Sequence, residues 1–80
     1  MPKKQHINKD LLPEIKKISL AIKNLRKDKG FTSYENFAVE FGLDRKQYWR
    51  IEEGANITLK TLITILDCHG MTLKDFFKKL

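Results

Sequence analysis

The stretch "FAVEFGLDRKQYWRIEEG", residues 37–54, carries two short apolar patterns with helical spacing, one on each side of Gly42. Ala38 stands four residues before the glycine, and only Leu43 and Asp44 separate the glycine from the second pattern. Glycine permits a left-handed turn, and a small side chain at position 38 lets two helix backbones approach closely. The spacing therefore predicts a tight helix-turn-helix, a unit that either a DNA-binding domain or a small helical bundle without a ligand could use.

The two helices of this unit have different start signals. Before the first helix, Thr32 with Glu35 or Ser33 with Asn36 could form the cap, and Thr32 with Glu35 is the better capping box. Asp44 is a suitable cap for the second helix, which we expect to end before Gly54. The helix before Gly42 is predicted to bury one face, formed by Tyr34, Phe37, Ala38 and Phe41.

Three further helices follow from the same rules, and strand patterns are nearly absent. The N-terminal helix of the chain is predicted to end at Gly30. Its apolar stripe consists of Leu11, Ile15, Ile18, Ile22 and Leu25. The fourth helix is predicted to begin after a Thr58 cap and to run towards Gly70. A fifth begins after Thr72, with Asp75 in the capping-box position, and is expected to bury Leu73, Phe76, Phe77 and Leu80. The chain is thus predicted to be all-α with five short helices.

Charge is unevenly distributed along the 80 residues, which carry a formal net charge of +6. Residues 1–30 contribute +6, residues 31–56 contribute −2 and residues 57–80 contribute +2. A basic excess favours a polyanionic partner. Residues 1–10 are predicted to be a flexible basic arm, either a solubilising tail or a segment that contacts phosphates, and residues 11–80 to form one helix-turn-helix domain.

Composition also argues against several classes of function. The single Cys68 allows no internal disulfide, and with only His6 and His69 beside it falls short of a four-ligand zinc set, so no metal or cofactor is expected. Cys68 and His69 are adjacent on a helix and point apart, so an enzyme is not expected. No apolar run could span a membrane or form a secretory signal, which favours a cytoplasmic protein with no membrane association.

In order and spacing, four segments of the chain resemble the phage-repressor type (Cro-like, XRE) helix-turn-helix family. They are "IKNLRKDKGF", "FAVEFGL", "RIEEG" and "TLKTLITILDCHGMTLKDFF", and together the resemblance covers residues 15–77. It implies a compact five-helix lambda-repressor-like domain that places its third helix in the major groove. The function it implies is a sequence-specific DNA-binding transcriptional regulator, in particular a repressor, acting as a homodimer on double-stranded DNA.

The third helix separates its core side from its outer side. At about 100° per residue, Tyr48 and Ile51 share one arc, and Lys46 and Arg50 lie opposite. The resemblance places the base-reading positions on Arg45, Lys46, Gln47 and Arg50. Arginine and lysine favour guanine O6 and N7 and glutamine favours adenine, so a half-site that contains guanine is expected.

Contacts to the DNA backbone are expected from two places. At the start of the second helix, N–H groups lie beside the hydroxyls of Thr32, Ser33 and Tyr34. The basic arm adds Lys3, Lys4 and Lys9, if it folds around the duplex.

Three other residues of the third helix are of interest. In the family Glu52 commonly pairs with an arginine, here Arg26. Trp49 and Glu53 depart from the family pattern. Trp49 could stack on Arg45, pack on the chain itself, or contact DNA; Glu53 could orient Arg50, or indicate that this face does not meet DNA in the usual way.

A second class of function stays open at this point, a protein-interaction module such as an antitoxin that binds a toxin, with DNA binding secondary. No toxin-binding tail is recognisable, which weighs against it. The dimer surface is predicted on the fifth helix, where Phe76, Phe77 and Leu80 exceed what one small core needs.

Overall fold

Five helices joined by short loops make up the fold in the computed structural model, which describes residues 11–80. Within that range there is no strand, and the prediction of an all-α chain with five helices is confirmed. The helices are α1 Leu11–Asp28, α2 Tyr34–Glu40, α3 Arg45–Glu52, α4 Leu59–Cys68 and α5 Leu73–Lys79. The predicted arm, with Lys3, Lys4 and Lys9, lies outside the described residues.

Side-chain caps begin three of the helices where the sequence indicates. The Asp44 carboxylate accepts from Gln47 N at 2.8 Å, and the Thr58 hydroxyl accepts from Thr61 N at 3.1 Å. At α5, Thr72 and Asp75 form the predicted reciprocal capping box. Each cap satisfies N–H groups that have no partner within the helix, which fixes the first residue of the helix.

The cap of α2 is Ser33, and the prediction of Thr32 is wrong. The Ser33 hydroxyl accepts from the backbone N–H groups of Glu35 and Asn36, at 3.1 and 3.2 Å. Thr32 and Ser33 are both good capping residues, and the capping-box pattern that favoured Thr32 did not decide between them. In the helix that starts at Tyr34, Phe37 and Ala38 are fully buried.

The turn between α2 and α3 has the predicted tight geometry. Gly42 has a φ of 68°, in the left-handed region that glycine enters without strain. Beyond it, Leu43 N donates to Ala38 O at 2.8 Å, which closes the end of α2. The Ala38 side chain is completely buried, as expected for a position where two helices approach.

All five helices contribute to one core. Phe37 lies among aromatic neighbours, with ring centroids 5.4, 4.8, 5.1 and 5.1 Å from those of Phe31, Phe41, Tyr48 and His69. The buried apolar cluster consists of Ile22, Phe37, Ala38, Tyr48, Ile51, Leu62, Ile65, Leu66 and Phe76.

The last helix departs from the predicted burial. Phe76 lies in the core and Leu73 packs against it, but Phe77 and Leu80 are 45% and 44% exposed. A seven-residue helix at the edge of a small bundle offers only a narrow face to the core. The expectation that α5 buries all four apolar residues is therefore wrong for Phe77 and Leu80. Within residues 11–80, no helix is both long and apolar enough to cross a membrane.

Candidate nucleic-acid interface

Helix α3 presents its polar side chains outward. Tyr48 and Ile51 are 1% and 4% exposed and seat the helix on the core. The predicted base-reading residues all lie on the exposed side, and they are Arg45, Lys46, Gln47 and Arg50. The helix thus presents three cations and one amide to any partner that approaches this face.

A buried ion pair attaches α3 to α1. Arg26 Nε donates to Glu52 Oε2 at 2.7 Å and Arg26 Nη2 donates to Glu52 Oε1 at 3.1 Å, a two-bond fork. The two side chains are only 5% and 4% exposed. A third bond, from Arg26 Nη1 to the carbonyl oxygen of Phe31 at 2.7 Å, holds the loop before α2. The pairing predicted between Arg26 and Glu52 is confirmed, and one guanidinium connects α1, α3 and the loop that leads into α2.

Tyr48 lies beside this ion pair. Burial raises the pKa of the Tyr48 hydroxyl, and the nearby Glu52 carboxylate raises it further, so the group stays neutral. Its oxygen has no hydrogen-bond partner of good geometry among the described residues. The hydrogen bond from Arg26 to Glu52 raises the pKa of the guanidinium in turn, so Arg26 stays charged at every physiological pH.

An open cleft of about 590 Å³ separates the start of α2 from α3. Tyr34 and Glu35 line one side, and the other side comes from α3 and its cap, namely Asp44, Arg45, Lys46, Trp49 and Arg50. Three of the seven lining residues are basic and two are acidic. The Asp44 carboxylate is already engaged in the α3 cap, so Glu35 is the carboxylate that opposes an anionic partner here.

A second groove runs along the other flank of α3. Gln47, Arg50 and Ile51 of α3 line it together with the loop after α3 and the start of α4, which supply Ala55, Asn56, Ile57, Thr58 and Thr61. Arg50 therefore borders both depressions, whereas Gln47 borders only the second. Thr58 is predicted from the sequence only as a cap, and Asn56 is not predicted to take part in a site. The signal was a polar pair, Asn56 and Thr58, at a helix N-terminus that follows the third helix closely.

The residues predicted to contact phosphates lie at the α2 terminus, in different environments. Thr32 is exposed, and Tyr34 is half-buried and lines the cleft. The Ser33 oxygen accepts two backbone N–H groups as the cap, and its hydroxyl hydrogen is not used by either bond. All three stand where α2 begins, at the positive end of its dipole.

Trp49 and Glu53 differ in position. The Trp49 side chain is 43% exposed and lines the cleft next to Arg45, but the one cation–π contact between described residues is that of Lys29 with Phe41. Stacking of Trp49 on Arg45 is therefore not present in the structure. Glu53 caps the C-terminal end of α3 and lines neither depression. It forms no ion pair with Arg50, because Arg26–Glu52 is the ion pair that residues 11–80 contain.

Cys68 and His69 form no reactive pair. The Cys68 thiol donates to Thr64 O at 3.4 Å, and burial raises its pKa, which disfavours the nucleophilic thiolate. His69 stacks on Phe37 with an angle of 11° between the rings, and its Nε2 is buried without a partner. Burial lowers the pKa of His69, and the Lys29 charge lowers it further. In the part of the chain that the structure describes, no group of three potential ligands could hold a metal ion.

Comparison with known proteins identifies one informative relative. The chain is 42% identical over 57 residues to a protein named control protein C.MunI, from a Mycoplasma species. The matched region covers 70% of the chain and 77% of that protein. No family model matches the chain, and no solved structure matches it at a significant level.

Proposed function

Because the chain belongs to the same family as the control protein C.MunI and contains a helix-turn-helix, we propose that it is a DNA-binding regulator of transcription that reads the major groove with α3. The name of the relative describes a regulatory protein rather than an enzyme. An α-helix fits the major groove of B-form DNA, where each base pair presents a distinct set of donors and acceptors. The proposal is therefore that the sequence of the DNA is read directly by side chains of α3.

The observation that carries this proposal is the outer face of α3. Its polar side chains are exposed while its inner side is held by Tyr48, Ile51 and the buried fork between Arg26 and Glu52. Such a helix has a fixed orientation and offers side chains that make no competing ion pair within the described fold. Preorganisation of this kind favours specific contacts, because less conformational entropy is lost on binding.

The chemistry of the four outer residues assigns their roles. Arg45, Lys46 and Arg50 donate and do not accept, so they match the O6 and N7 acceptors of guanine. Gln47 can donate and accept, which suits the N6 and N7 edge of adenine. Arg50 borders both depressions beside α3, and this central position makes it the residue from which we expect the largest contribution to specificity.

Contacts to the DNA backbone would come from both flanks of α3. The start of α2, with Thr32, Ser33 and Tyr34, lies on one side, and the start of α4, with Asn56 and Thr58, lies on the other. Backbone N–H groups and the positive dipole end favour phosphate at such termini. The lysines of the predicted arm, Lys3, Lys4 and Lys9, would add contacts that do not depend on base sequence.

We further propose that the protein acts as a homodimer and as a repressor, by occupying an operator with two-fold symmetry. The surface we propose is the exposed part of α5, with Phe77 and Leu80. Phe76 is in the core and is not available to a partner, so the predicted surface is reduced to these two residues. Beside Leu80 a groove of about 180 Å³, partly formed by Ala21 and Leu25 of α1, could receive an apolar side chain of the second copy.

Sedimentation of three variants tests the proposed dimer. Phe77→Lys should convert a dimer into a monomer at micromolar concentration, and Leu20→Lys, at an exposed apolar residue of α1, should not. Ile63→Lys examines an exposed apolar residue of α4. Dissociation by Ile63→Lys with no effect of Phe77→Lys would move the interface to α4, and a wild-type monomer at high micromolar concentration would contradict dimerisation.

Affinity for duplex DNA as a function of salt tests the function itself. A protein that neutralises several phosphates should lose affinity steeply, with a log–log slope of about −0.9 per phosphate contacted. Duplexes selected from a random pool should bind at least ~1000-fold more tightly than random duplex. Absence of duplex binding at low salt would refute the proposal and leave the protein-interaction module as the better explanation. The expected repression is checked by transcription from a promoter that overlaps the selected sequence.

A further inference from the structure

Trp49 is a large apolar side chain on the part of α3 that faces the cleft. It is 43% exposed, and it does not belong to the buried cluster or to the residues that pack against that cluster. Its neighbours in the cleft include Arg45 and Lys46 on the same helix and Tyr34 on α2. An exposed indole surrounded by polar side chains leaves apolar area in water that only a partner can cover.

The structure removes one internal role for this ring. Stacking on Arg45 would have covered one face of the indole and oriented the guanidinium, but that contact is not formed between these described residues. Neither Arg45 nor Arg50, the two arginines that border the cleft, forms an ion pair with another described residue. The indole thus lies without a stacking partner beside the cations of α3, on the opposite side of the cleft from the Tyr34 ring.

Helix geometry places Trp49 relative to the base that Arg45 would contact. Four residues advance the helix by about 6 Å and rotate it by about 40° beyond one full turn. Stacked base pairs are about 3.4 Å apart. Trp49 therefore lies on nearly the same face as Arg45, displaced by a distance of one to two base pairs along a groove that accommodates the helix.

We propose that Trp49 determines specificity by contact of its indole ring with the C5-methyl group of a thymine, one or two base pairs from the guanine contacted by Arg45. This inference rests on the proposed function. The thymine methyl is the apolar feature that a base edge presents in the major groove, and it distinguishes thymine from cytosine. A sugar contact would bury area without sequence preference, and a phosphate contact would place an apolar ring against a charged group.

Replacement of single methyl groups in the DNA tests the proposal. Each thymine of a duplex selected by the wild-type protein is replaced in turn by deoxyuridine, which removes only the C5-methyl. Loss of one buried methyl group corresponds to about fourfold weaker binding. We expect this loss at one thymine of each half-site with the wild-type protein, and no loss at the same position with Trp49→Ala.

The control variant is Leu20→Ala, which removes exposed apolar area from α1 and should keep the wild-type response at every position. Two results would overturn the inference: no thymine in the half-site responds with the wild-type protein, or the response persists in Trp49→Ala. The first result needs no variant, so it stands even if Trp49→Ala does not fold. Failure of the proposed function would instead appear as the absence of any selected duplex.

Discussion

Loss of the Glu52 carboxylate should strongly destabilise the protein, because it leaves Arg26 charged and buried. In Glu52→Gln the side chain keeps its shape, so the change removes the charge and leaves the packing nearly as it was. The partner guanidinium is still buried, with 5% of its side chain exposed, and it loses the carboxylate charge and one of its two bonds to residue 52, while its bond to the carbonyl of Phe31 remains. Removing one member of a buried pair costs ~3–5 kcal/mol, mostly through the charge that remains unpaired.

That loss is large for a chain of this size. At ~0.05–0.15 kcal/mol per residue, an 80-residue chain has a free energy of unfolding of ~4–12 kcal/mol. A change of 1 kcal/mol shifts the Tm of such a small domain by ~4–8 °C. Glu52→Gln should therefore lower the Tm by at least ~12 °C.

The assay is thermal and urea unfolding followed by circular dichroism, with the neighbouring carboxylate as the control. Glu53 is exposed and unpaired with any described residue, so Glu53→Gln removes the same charge from the same helix end at a cost within ~0.5 kcal/mol. In the variant that combines Arg26→Met with Glu52→Gln, the buried charge is gone. Its destabilisation should be smaller than the sum of the two single changes.

The reasoning is refuted if Glu52→Gln costs less than ~1 kcal/mol, similar to Glu53→Gln. Such a result would mean that the fork behaves as an exposed ion pair and does not hold α3. Additivity of the Arg26 and Glu52 changes would equally contradict direct coupling between the two side chains.

Three smaller predictions concern other residues that position the helices. Ser33→Ala should destabilise by ~1 kcal/mol in urea unfolding and Thr32→Ala by less than half as much; the reverse order would restore Thr32 as the cap. Gly42→Ala should lower the free energy of unfolding by ~1–2 kcal/mol through backbone strain at a φ of 68°, because an added Cβ would meet no other atom within 4 Å. An unchanged stability would contradict a left-handed turn at this residue. Burial lowers the pKa of His69 below 6.5, so as pH falls the unfolded chain binds a proton at this residue before the folded protein does. The free energy of unfolding should therefore decline as pH falls below about 6.5. His69→Gln should remove that decline, and an unchanged pH profile would refute the assignment.

Most of the fold could be predicted because its signals are local. The caps at Asp44, Thr58 and Thr72 and the turn at Gly42 each depend on a few neighbouring residues, and the structure confirms them. The pairing of Arg26 with Glu52 joins residues that lie 26 positions apart. Spacing along the chain carries no information about such a contact, and only the family resemblance predicted it.

The incorrect predictions concern choices that local patterns leave open. The capping-box pattern favours Thr32, but Ser33 can cap as well, and in the structure the Ser33 hydroxyl accepts from the N–H groups of Glu35 and Asn36. The pattern of α5 indicates an apolar face but not its width, so the exposure of Phe77 and Leu80 depends on where the other helices end. The grooves on both sides of α3, and with them Asn56, depend on tertiary packing that no sequence window contains.

The most direct test of the account measures how Arg50 affects sequence preference. The quantity is the ratio of affinities for a selected duplex and for random duplex, compared between wild type, Arg50→Ala and Lys17→Ala, which removes one exposed charge from α1. Arg50→Ala should weaken binding to the selected duplex by ~1–3 kcal/mol and relax the preference at one base pair, while Lys17→Ala leaves the ratio unchanged. Equal weakening of selected and random duplex by Arg50→Ala would contradict base reading by the outer face of α3.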